Sequence, residues 1–202
     1  MKITWKAGTM LYPLPAVLVT VGKGDETNLL TIAWTGIVNS DPAMTYISVR
    51  PERHSYGLLK KNMEFVINIP TENMLNALDF CGVRSGKNVN KLKETGLETE
   101  KGDKIETPTL KQSPLALECK VKSITPLGSH DMFLAEIVSV RIDETLLNKQ
   151  GVFDIEKSRL ITYCHGFYFA LGRKLGKFGF SVAKKKNKHG KSIKQNKKRL
   201  IR

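Results

Sequence analysis

The segment Arg50-Pro51-Glu52-Arg53-His54-Ser55-Tyr56 carries the side chains best suited to bind an anion. It lies where a predicted strand ends and a predicted helix begins. Two guanidinium groups, a hydroxyl at the helix start and exposed backbone amides would together form an anion site, for which a phosphate monoester is the natural guest. The alternative is that Arg50 and Arg53 are surface charges and that Ser55 only caps the helix.

A second segment, Phe80 to Lys91, has the sequence FCGVRSGKNVNK and could also approach a bound anion closely. Its two glycines, Gly82 and Gly86, lie four residues apart around an arginine and a serine. Glycines let the backbone come close to a bound group, and the helix predicted to follow adds the positive end of its dipole. The alternative is an ordinary connection between two helices.

A third segment, Thr31 to Gly36, places one tryptophan and two threonines at the end of a predicted strand. A flat ligand could stack on Trp34 or accept hydrogen bonds from the strand backbone. The alternative is that Trp34 fills the core of the protein. Taken singly, none of the three segments decides between binding and structure.

Several common catalytic and nucleotide-binding motifs are absent from the sequence. It has no Walker loop, no G-x-S-x-G, no C-x-x-C and no H-E-x-x-H, and Gly22 to Thr27 lacks the last glycine of a dinucleotide fingerprint. The three cysteines, Cys81, Cys119 and Cys164, are odd in number and widely spaced. We therefore expect reduced thiols in a cytoplasm, and we predict neither a metal site nor a thiol nucleophile.

The elements that must position these segments are mostly strands. Short runs rich in β-branched residues, or alternating apolar and polar residues, are separated by turn formers and predict antiparallel strands. The predicted strands cover 14–21, 28–34, 44–50, 64–69, 115–124 and 132–142, and the predicted helices cover 55–62, 71–80 and 88–95. The pattern predicts a mainly β fold with inserted helices, and closing its sheet into a barrel would remove the exposed edges. The polar stretch Glu94 to Gln112 is expected to be a surface excursion.

Composition and charge exclude several classes of protein. The 202 residues are 41% hydrophobic and 26% charged, which excludes collagen-like, disulfide-scaffold and wholly disordered chains. No apolar run approaches the roughly 18–20 residues that cross a bilayer, so we expect no membrane span. The first residues, MKITWKAGTM, contain no apolar stretch of signal-peptide length, so we expect a cytoplasmic protein.

The net charge of +14 is concentrated at one end of the chain. From Lys157 to Arg202 there are 15 Lys or Arg and no Asp or Glu. We expect one domain over residues 1–183 and a mobile basic tail over 184–202. The tail is either simply solvated or weakly attracted to nucleic acid or anionic lipid in a salt-sensitive way, and the solvated alternative is favoured.

The order of the motifs resembles that of the flavin reductase-like family, especially its flavoredoxin-type members, over about residues 5–185. The motifs that carry the resemblance are NLLTIAWTG (28–36), SVRPERHSY (48–56), EFVINIP (64–70), DFCGVRSGKNVNK (79–91), LECKV with LGSHDMFLAEI (117–137) and YFALGRKLGKFGFSV (168–182). The resemblance implies an antiparallel FMN-binding split β-barrel. It also implies a homodimer with FMN near the subunit interface.

The resemblance further implies three groups of FMN-binding residues. The first group would line the isoalloxazine ring and ribityl chain and consists of Asn28, Thr31, Ala33, Trp34 and Thr35. The second group would hold phosphate or ribityl oxygens and consists of Arg50, Ser55 and Tyr56. The third group would complete the wall over the flavin and consists of Cys81, Gly82, Ser85, Gly86 and Lys91. Arg53 and His54 are less firmly implied because the family varies there. A positive charge such as Lys91 near the ring would stabilise reduced flavin.

Two functions remain open at this point. The first is an oxidoreductase in which NAD(P)H reduces FMN, with electrons passed to a flavin, a metal centre or an acceptor protein. The second is a non-enzymatic FMN-binding electron carrier without its own NAD(P)H site. In both cases N5 of the flavin carries the chemistry, so no side chain is predicted to be a general acid or a nucleophile.

Overall fold

The structure is a computed structural model, and it describes residues 1–183. The basic tail predicted for 184–202 lies outside the described residues, so the domain boundary at 183 stays a prediction. The chain divides into two compact units, Met1–Leu171 and a second one that begins at Gly172. The second unit contributes one short 3-10 turn, Phe180–Val182, to the described residues.

The first unit holds every strand and α-helix of the described residues, and strands predominate. The strands are β1 (Leu14–Pro15), β2 (Val17–Val21), β3 (Asn28–Ile32), β4 (Thr35–Ser40), β5 (Ala43–Val49), β6 (Glu64–Ile69), β7 (Thr99–Glu100), β8 (Thr109–Leu110), β9 (Leu115–Pro126), β10 (Asp131–Ile142), β11 (Ile161–Cys164) and β12 (Phe167–Ala170). The helices are α1 (His54–Asn62), α2 (Leu75–Val83) and α3 (Lys91–Thr95). The predicted mainly β fold with inserted helices is confirmed.

Seven strands form one antiparallel sheet in the order β3-β2-β6-β9-β10-β5-β4. Its longest ladder joins β9 to β10, the two strands whose alternation of apolar and polar residues is clearest in the sequence. On β10 the residues Phe133 and Ala135 are fully buried, while the residue between them and the residues after them are partly exposed or, at Val140, exposed. The strands β1, β11 and β12 form a separate small sheet.

The large sheet has two edge strands, and the chain passes directly from one edge strand to the other. The edge strand β3 ends at Ile32, and the opposite edge strand β4 begins at Thr35. Between them the carbonyl of Trp34 accepts a hydrogen bond from the amide of Ser48 at 3.0 Å. Within residues 1–183 no strand ladder joins β3 to β4. The sheet is therefore not closed into a barrel by strand pairing along this line.

Strand β2 contributes side chains to two hydrophobic cores, which lie on opposite faces of the large sheet. Its sequence VLVTV is buried throughout, and successive side chains of a strand point to opposite faces. Val17, Val19 and Val21 belong to the larger core with Phe65 and residues of β5 and β10. Leu18 belongs to a second core, which also contains buried residues of α2. This helix therefore covers the other face of the sheet.

The excursion predicted for Glu94 to Gln112 is present, but it is anchored more firmly than its polar sequence indicates. The fully buried Glu118 of β9 accepts hydrogen bonds from the amides of Asp103 and Lys104, both at 2.7 Å. The carboxylate of Glu64 accepts bonds from the amide of Thr107 at 2.8 Å and from its hydroxyl at 3.1 Å. Two carboxylates thus hold the excursion against the sheet.

The structure differs from the predicted elements in several places. The strand predicted for 28–34 ends at Ile32, because the chain turns at Ala33 to reach the other edge of the sheet. The strand predicted for 14–21 is divided into β1 and β2, which belong to different sheets. The helices predicted for 71–80 and 88–95 begin later, at Leu75 and Lys91. The strands β4, β7, β8, β11 and β12 were not predicted. No helix within the described residues is both long enough and apolar enough to span a membrane.

Candidate functional site

A cavity of about 470 Å³, named here the arginine cavity, brings the two predicted anion-binding segments together. The predicted site residues that line it are Asn28, Arg50, Ser55, Ser85, Gly86 and Lys91. Arg53, His54 and Arg84 line it as well, and so does the acidic Glu52. Its volume falls within the range of roughly 300–1,000 Å³ that is usual for small-molecule sites.

A smaller cavity of about 150 Å³, the tryptophan cavity, lies at the split of the barrel. Thr31, Ala33 and Trp34, all predicted site residues, line it together with the ends of β3 and β5. Leu30, Arg50 and Arg53 line both cavities. The predicted flat-ligand segment therefore adjoins the predicted anion site across these shared side chains.

The connection between β5 and α1 positions the guanidinium groups. Arg50 follows the last residue of β5, and Arg53 stands directly before α1 with extended backbone angles. The chain therefore turns between two rigid elements, and both side chains remain at the shared wall of the two cavities. Nη1 of Arg50 lies 3.5 Å from the carboxylate of Glu52, and both side chains are exposed. Such a pair contributes little to stability, so Arg50 is available to an anion.

Ser55 and Asn28 form the buried wall of the arginine cavity. Ser55, in the first turn of α1, is 1% exposed, and its Oγ accepts a hydrogen bond from Nδ2 of Asn28 at 2.8 Å. Gly86 lies so close that a Cβ at this position would be 2.4 Å from Oδ1 of Asn28. Only glycine therefore lets the loop after α2 close against β3.

Lys91, the first residue of α3, is buried beneath the cavity. Its Nζ donates to the carbonyl of Leu29 at 2.9 Å and to the carbonyl of Cys81 at 2.7 Å. Burial lowers the pKa of Lys91, and the charge of Arg53 acts in the same direction. The two hydrogen bonds use two of the three N–H groups of the ammonium. Lys91 thus joins α3, α2 and β3, and it also presents positive charge to the cavity.

The aromatic wall of the tryptophan cavity is formed by Trp34 and His130. Their ring centroids are 4.5 Å apart, and the ring planes are tilted by 40°. His130 lies in the turn between β9 and β10, and burial, followed by the charge of Arg50, lowers its pKa. The neutral ring is therefore favoured beside the two arginines. A planar ligand could extend this aromatic pair.

Two of the remaining predicted residues are outside the linings of both cavities and form other contacts. Thr35 is buried and donates its hydroxyl hydrogen to the carbonyl of Tyr46 at 2.5 Å. Tyr56 donates its hydroxyl hydrogen to Oδ2 of Asp131 at 2.5 Å, and this bond is the largest of the effects that raise the pKa of Tyr56. Neither Thr35 nor Tyr56 is in the lining of the two cavities, so their predicted contacts with FMN stay predictions.

The other two, Cys81 and Gly82, lie on α2 behind the lining. Cys81 is buried in the second core, and burial raises the pKa of its thiol to about 11, so the thiol is neutral at physiological pH. Gly82 packs against Thr31, where an added Cβ would lie 3.3 Å from the Cβ of the threonine. Neither residue is in the lining of the two cavities, and both pack directly behind it, so their role in the wall over the flavin stays a prediction.

His130 and Arg84 had no predicted role, yet the structure places both in the lining. His130 was present in the motif LGSHDMFLAEI, but only its place in a turn between two long strands indicated that it could be exposed. Arg84 lies between Gly82 and Gly86, and it ends α2 with extended backbone angles. The two flanking glycines were the sequence feature that could have indicated a position of Arg84 close to a bound group.

The donor set of the two cavities fits FMN. Three guanidinium groups, the Lys91 ammonium and serine hydroxyls converge on the arginine cavity, and such groups bind a phosphate by charge-assisted hydrogen bonds. The tryptophan cavity adds apolar and aromatic surface, which suits a planar heterocycle. A phosphate monoester joined to a flat ring system matches both parts of the site.

Comparison with known proteins shows similarity to one family model, to solved structures and to a curated relative. A family model described as the flavin reductase like domain matches residues 9–169. The solved structure of the flavoredoxin of Desulfovibrio vulgaris (Miyazaki F) is 30% identical, with a TM-score of 0.84 over 91% of this chain and 100% of that one. A flavoredoxin from Methanosarcina acetivorans is 28% identical, with a TM-score of 0.82 over the same shares. An NADH-dependent FMN reductase, AsuE2 of Streptomyces nodosus subsp. asukaensis, is 24% identical over 71% of this chain and 78% of its own length.

Proposed function

Because this chain belongs to the flavin reductase-like family, we propose that it binds FMN across the arginine and tryptophan cavities and transfers electrons from NAD(P)H to an acceptor. One observation carries the proposal. Arg50 and Arg53 form a shared wall between a cation-rich cavity and an aromatic one. That arrangement supports one ligand with an anionic end and a flat end.

In this proposal each side chain has a binding or positioning task. Arg50, Arg84 and the hydroxyl of Ser55 hold the phosphate, and the Asn28 amide keeps that hydroxyl in place. Trp34 and His130 exclude water from one part of the ring site. FMN, when bound, supplies the acceptor of a hydride or of electrons. No side chain acts as a nucleophile.

The positive surroundings bear on the reduced state of the cofactor. Arg50, Arg53 and Lys91 lie around the cavities, whereas Glu52 is the one carboxylate that residues 1–183 contribute to the two linings. An excess of positive charge stabilises an added negative charge more strongly in a partly buried site than in water. We therefore expect these residues to favour the reduced flavin.

In this proposal the electron acceptor is a flavin, a metal centre or a protein.

We also propose that the chain acts as a cytoplasmic homodimer. The edge strand β4 carries Ile37 and Val38, which are 67% and 51% exposed. An exposed apolar edge is commonly covered by another chain. This observation supports a second copy of the protein as the partner.

A second candidate function is an electron carrier that does not react with NAD(P)H itself. The similarity to two flavoredoxins favours it. Anaerobic stopped-flow mixing of the FMN-loaded protein with NADH or NADPH separates the two functions. Rapid loss of the flavin absorption near 450 nm supports the reductase, and its persistence with both nucleotides supports the carrier, with reduction by dithionite as the control that the flavin is competent.

A further inference from the structure

Tyr56 and Asp131 form a contact just outside the two cavities that the proposed function does not yet use. The Tyr56 hydroxyl donates to Oδ2 of Asp131 at 2.5 Å, across 75 residues of sequence. Asp131 is 8% exposed, and the tyrosine ring packs edge-to-face on the fully buried Phe133, with centroids 5.6 Å apart. The ring is thus fixed by packing and its hydroxyl by a charge-assisted bond.

Each end of this hydrogen bond adjoins a different part of the site. Tyr56 directly follows Ser55, whose hydroxyl forms the buried wall of the arginine cavity. Asp131 directly follows His130, the ring that pairs with Trp34 in the tryptophan cavity. The contact therefore joins α1, which positions the anion-binding hydroxyl, to the turn that positions the aromatic wall.

Asp131 is also fixed to the strand that leads to the arginines. As the first residue of β10 it pairs with Val49, the last residue of β5, and Arg50 comes next in the chain. One carboxylate consequently adjoins three segments that line the site. Any shift of its position would move the segments relative to each other, because backbone ladders transmit displacements that flexible side chains would absorb.

We propose that Tyr56 and Asp131 are positioning residues that set the distance between the anion-binding end and the aromatic end of the site. The proposal rests on the proposed function, since a ligand that occupies both cavities is what makes their separation matter. The two residues act through Ser55 and His130 and not by touching the flavin.

The test measures FMN affinity, the absorption spectrum of bound FMN and unfolding by urea in matched variants. Tyr56→Phe keeps the ring on Phe133 and removes only the hydroxyl, and Asp131→Ala removes the acceptor. Each is expected to weaken FMN binding by roughly five- to tenfold and to alter the spectrum of the bound flavin. Asp131→Asn keeps an acceptor oxygen and should bind FMN within about twofold of the unchanged chain. The double variant Tyr56→Phe/Asp131→Ala should bind no more weakly than Asp131→Ala, because both changes break the same contact.

The matched control is Ser139→Ala, which removes another hydroxyl that donates to a carboxylate, here Asp103 at 3.2 Å. Ser139 lies on the same strand, β10, and belongs to the lining of neither cavity. The control should leave affinity and spectrum unchanged. If Tyr56→Phe lowers stability but binds FMN with the normal affinity and spectrum, the contact is only structural and the proposal is overturned. If the unchanged chain does not bind FMN at all, the proposed function fails, and this proposal fails with it.

Discussion

At the scale of single residues, the arginine cavity depends on a few contacts that leave little freedom. Asn28 and Ser55 hold each other by a hydrogen bond of 2.8 Å, and Gly86 closes over the asparagine. The ion pair of Arg50 with Glu52 is exposed and 3.5 Å long, so it restrains Arg50 less than the Asn28–Ser55 bond restrains the wall. The wall formed by Asn28 and Ser55 and the guanidinium group of Arg50 therefore contribute differently to binding. The wall sets the shape of the cavity, and Arg50 responds to the charge of the ligand.

Arg50→Ala should weaken FMN binding by roughly 1.5–3 kcal/mol, the usual contribution of a hydrogen bond to a charged group. Arg50→Lys is the matched control, since it keeps the charge but loses the planar fork, and its affinity should fall between those of Arg50→Ala and the unchanged chain. Isothermal titration with FMN measures both. An Arg50→Ala variant with unchanged affinity would remove Arg50 from the phosphate site.

Gly86→Ala should also weaken FMN binding, by displacing a neighbour and not by removing a ligand contact. A Cβ would lie 2.4 Å from Oδ1 of Asn28, so either the asparagine leaves Ser55 or the loop moves. Gly57→Ala on α1 is the control, because a Cβ there meets no atom within 4 Å and alanine favours a helix. Equal FMN affinities of the two variants, measured by fluorescence titration, would show that the close approach of Gly86 does not shape the site.

At the scale of the elements, the sequence predicts those strands that local patterns determine. The alternation in β9 and β10 and the buried run of β2 identify strands correctly. The strand β4 was missed because its residues begin with Thr35-Gly36 and end in the turn formers Asn39 and Ser40. Its partner is β5, which is close in sequence, but its place at the far edge of the sheet depends on how the whole barrel is split.

Local sequence patterns also fail to determine which residues of a motif line the candidate site. The motif around Arg50 correctly predicts that Arg50 and Ser55 line one cavity. It does not indicate that Tyr56 lies outside the cavity lining, because adjacent residues on a helix point about 100° apart and packing decides which side chain lines the cavity. The position of Cys81 behind the lining is hidden from the motif for a similar reason. Its side chain enters the core between α2 and the sheet, which no spacing within the motif reveals.

The long excursion after α3 offers a test at this scale. Glu118→Gln should lower the free energy of unfolding by roughly 1–3 kcal/mol, because the new amide nitrogen cannot accept the hydrogen bond from the amide of Asp103 or Lys104. Glu136→Gln is the control, since its ion pair with Lys122 is partly exposed and should contribute little. Urea unfolding measures both. A loss no larger than that of the control would mean that Glu118 does not anchor the excursion.

At the scale of the whole molecule, most of the net charge lies in a part of the sequence whose described residues contribute nothing to the lining of the two cavities. Residues 1–156 hold 18 basic and 19 acidic groups, so the high net charge belongs to the C-terminal part of the sequence. The arginines of the site therefore act locally, within a body that is nearly neutral. A pI near 9.7 does not by itself indicate a protein that binds nucleic acid.

A chain that ends at Ala183 should lose any retention on heparin at low salt, because the removed segment 184–202 has ten basic residues in nineteen. Its affinity for FMN should equal that of the full chain, which serves as the internal control. Heparin chromatography with a salt gradient makes the comparison. Equal retention of both chains would place the attraction in the body of the protein.

The central claim is that one ligand fills both cavities and is held by its phosphate. Titration of the flavin-free protein with FMN and with riboflavin, which lacks the phosphate, tests this claim most directly. We expect FMN to bind at least about tenfold more tightly than riboflavin, since one charge-assisted hydrogen bond already contributes about that much. We also expect the difference to shrink as salt is added. Equal affinities for the two flavins at low salt would contradict the account.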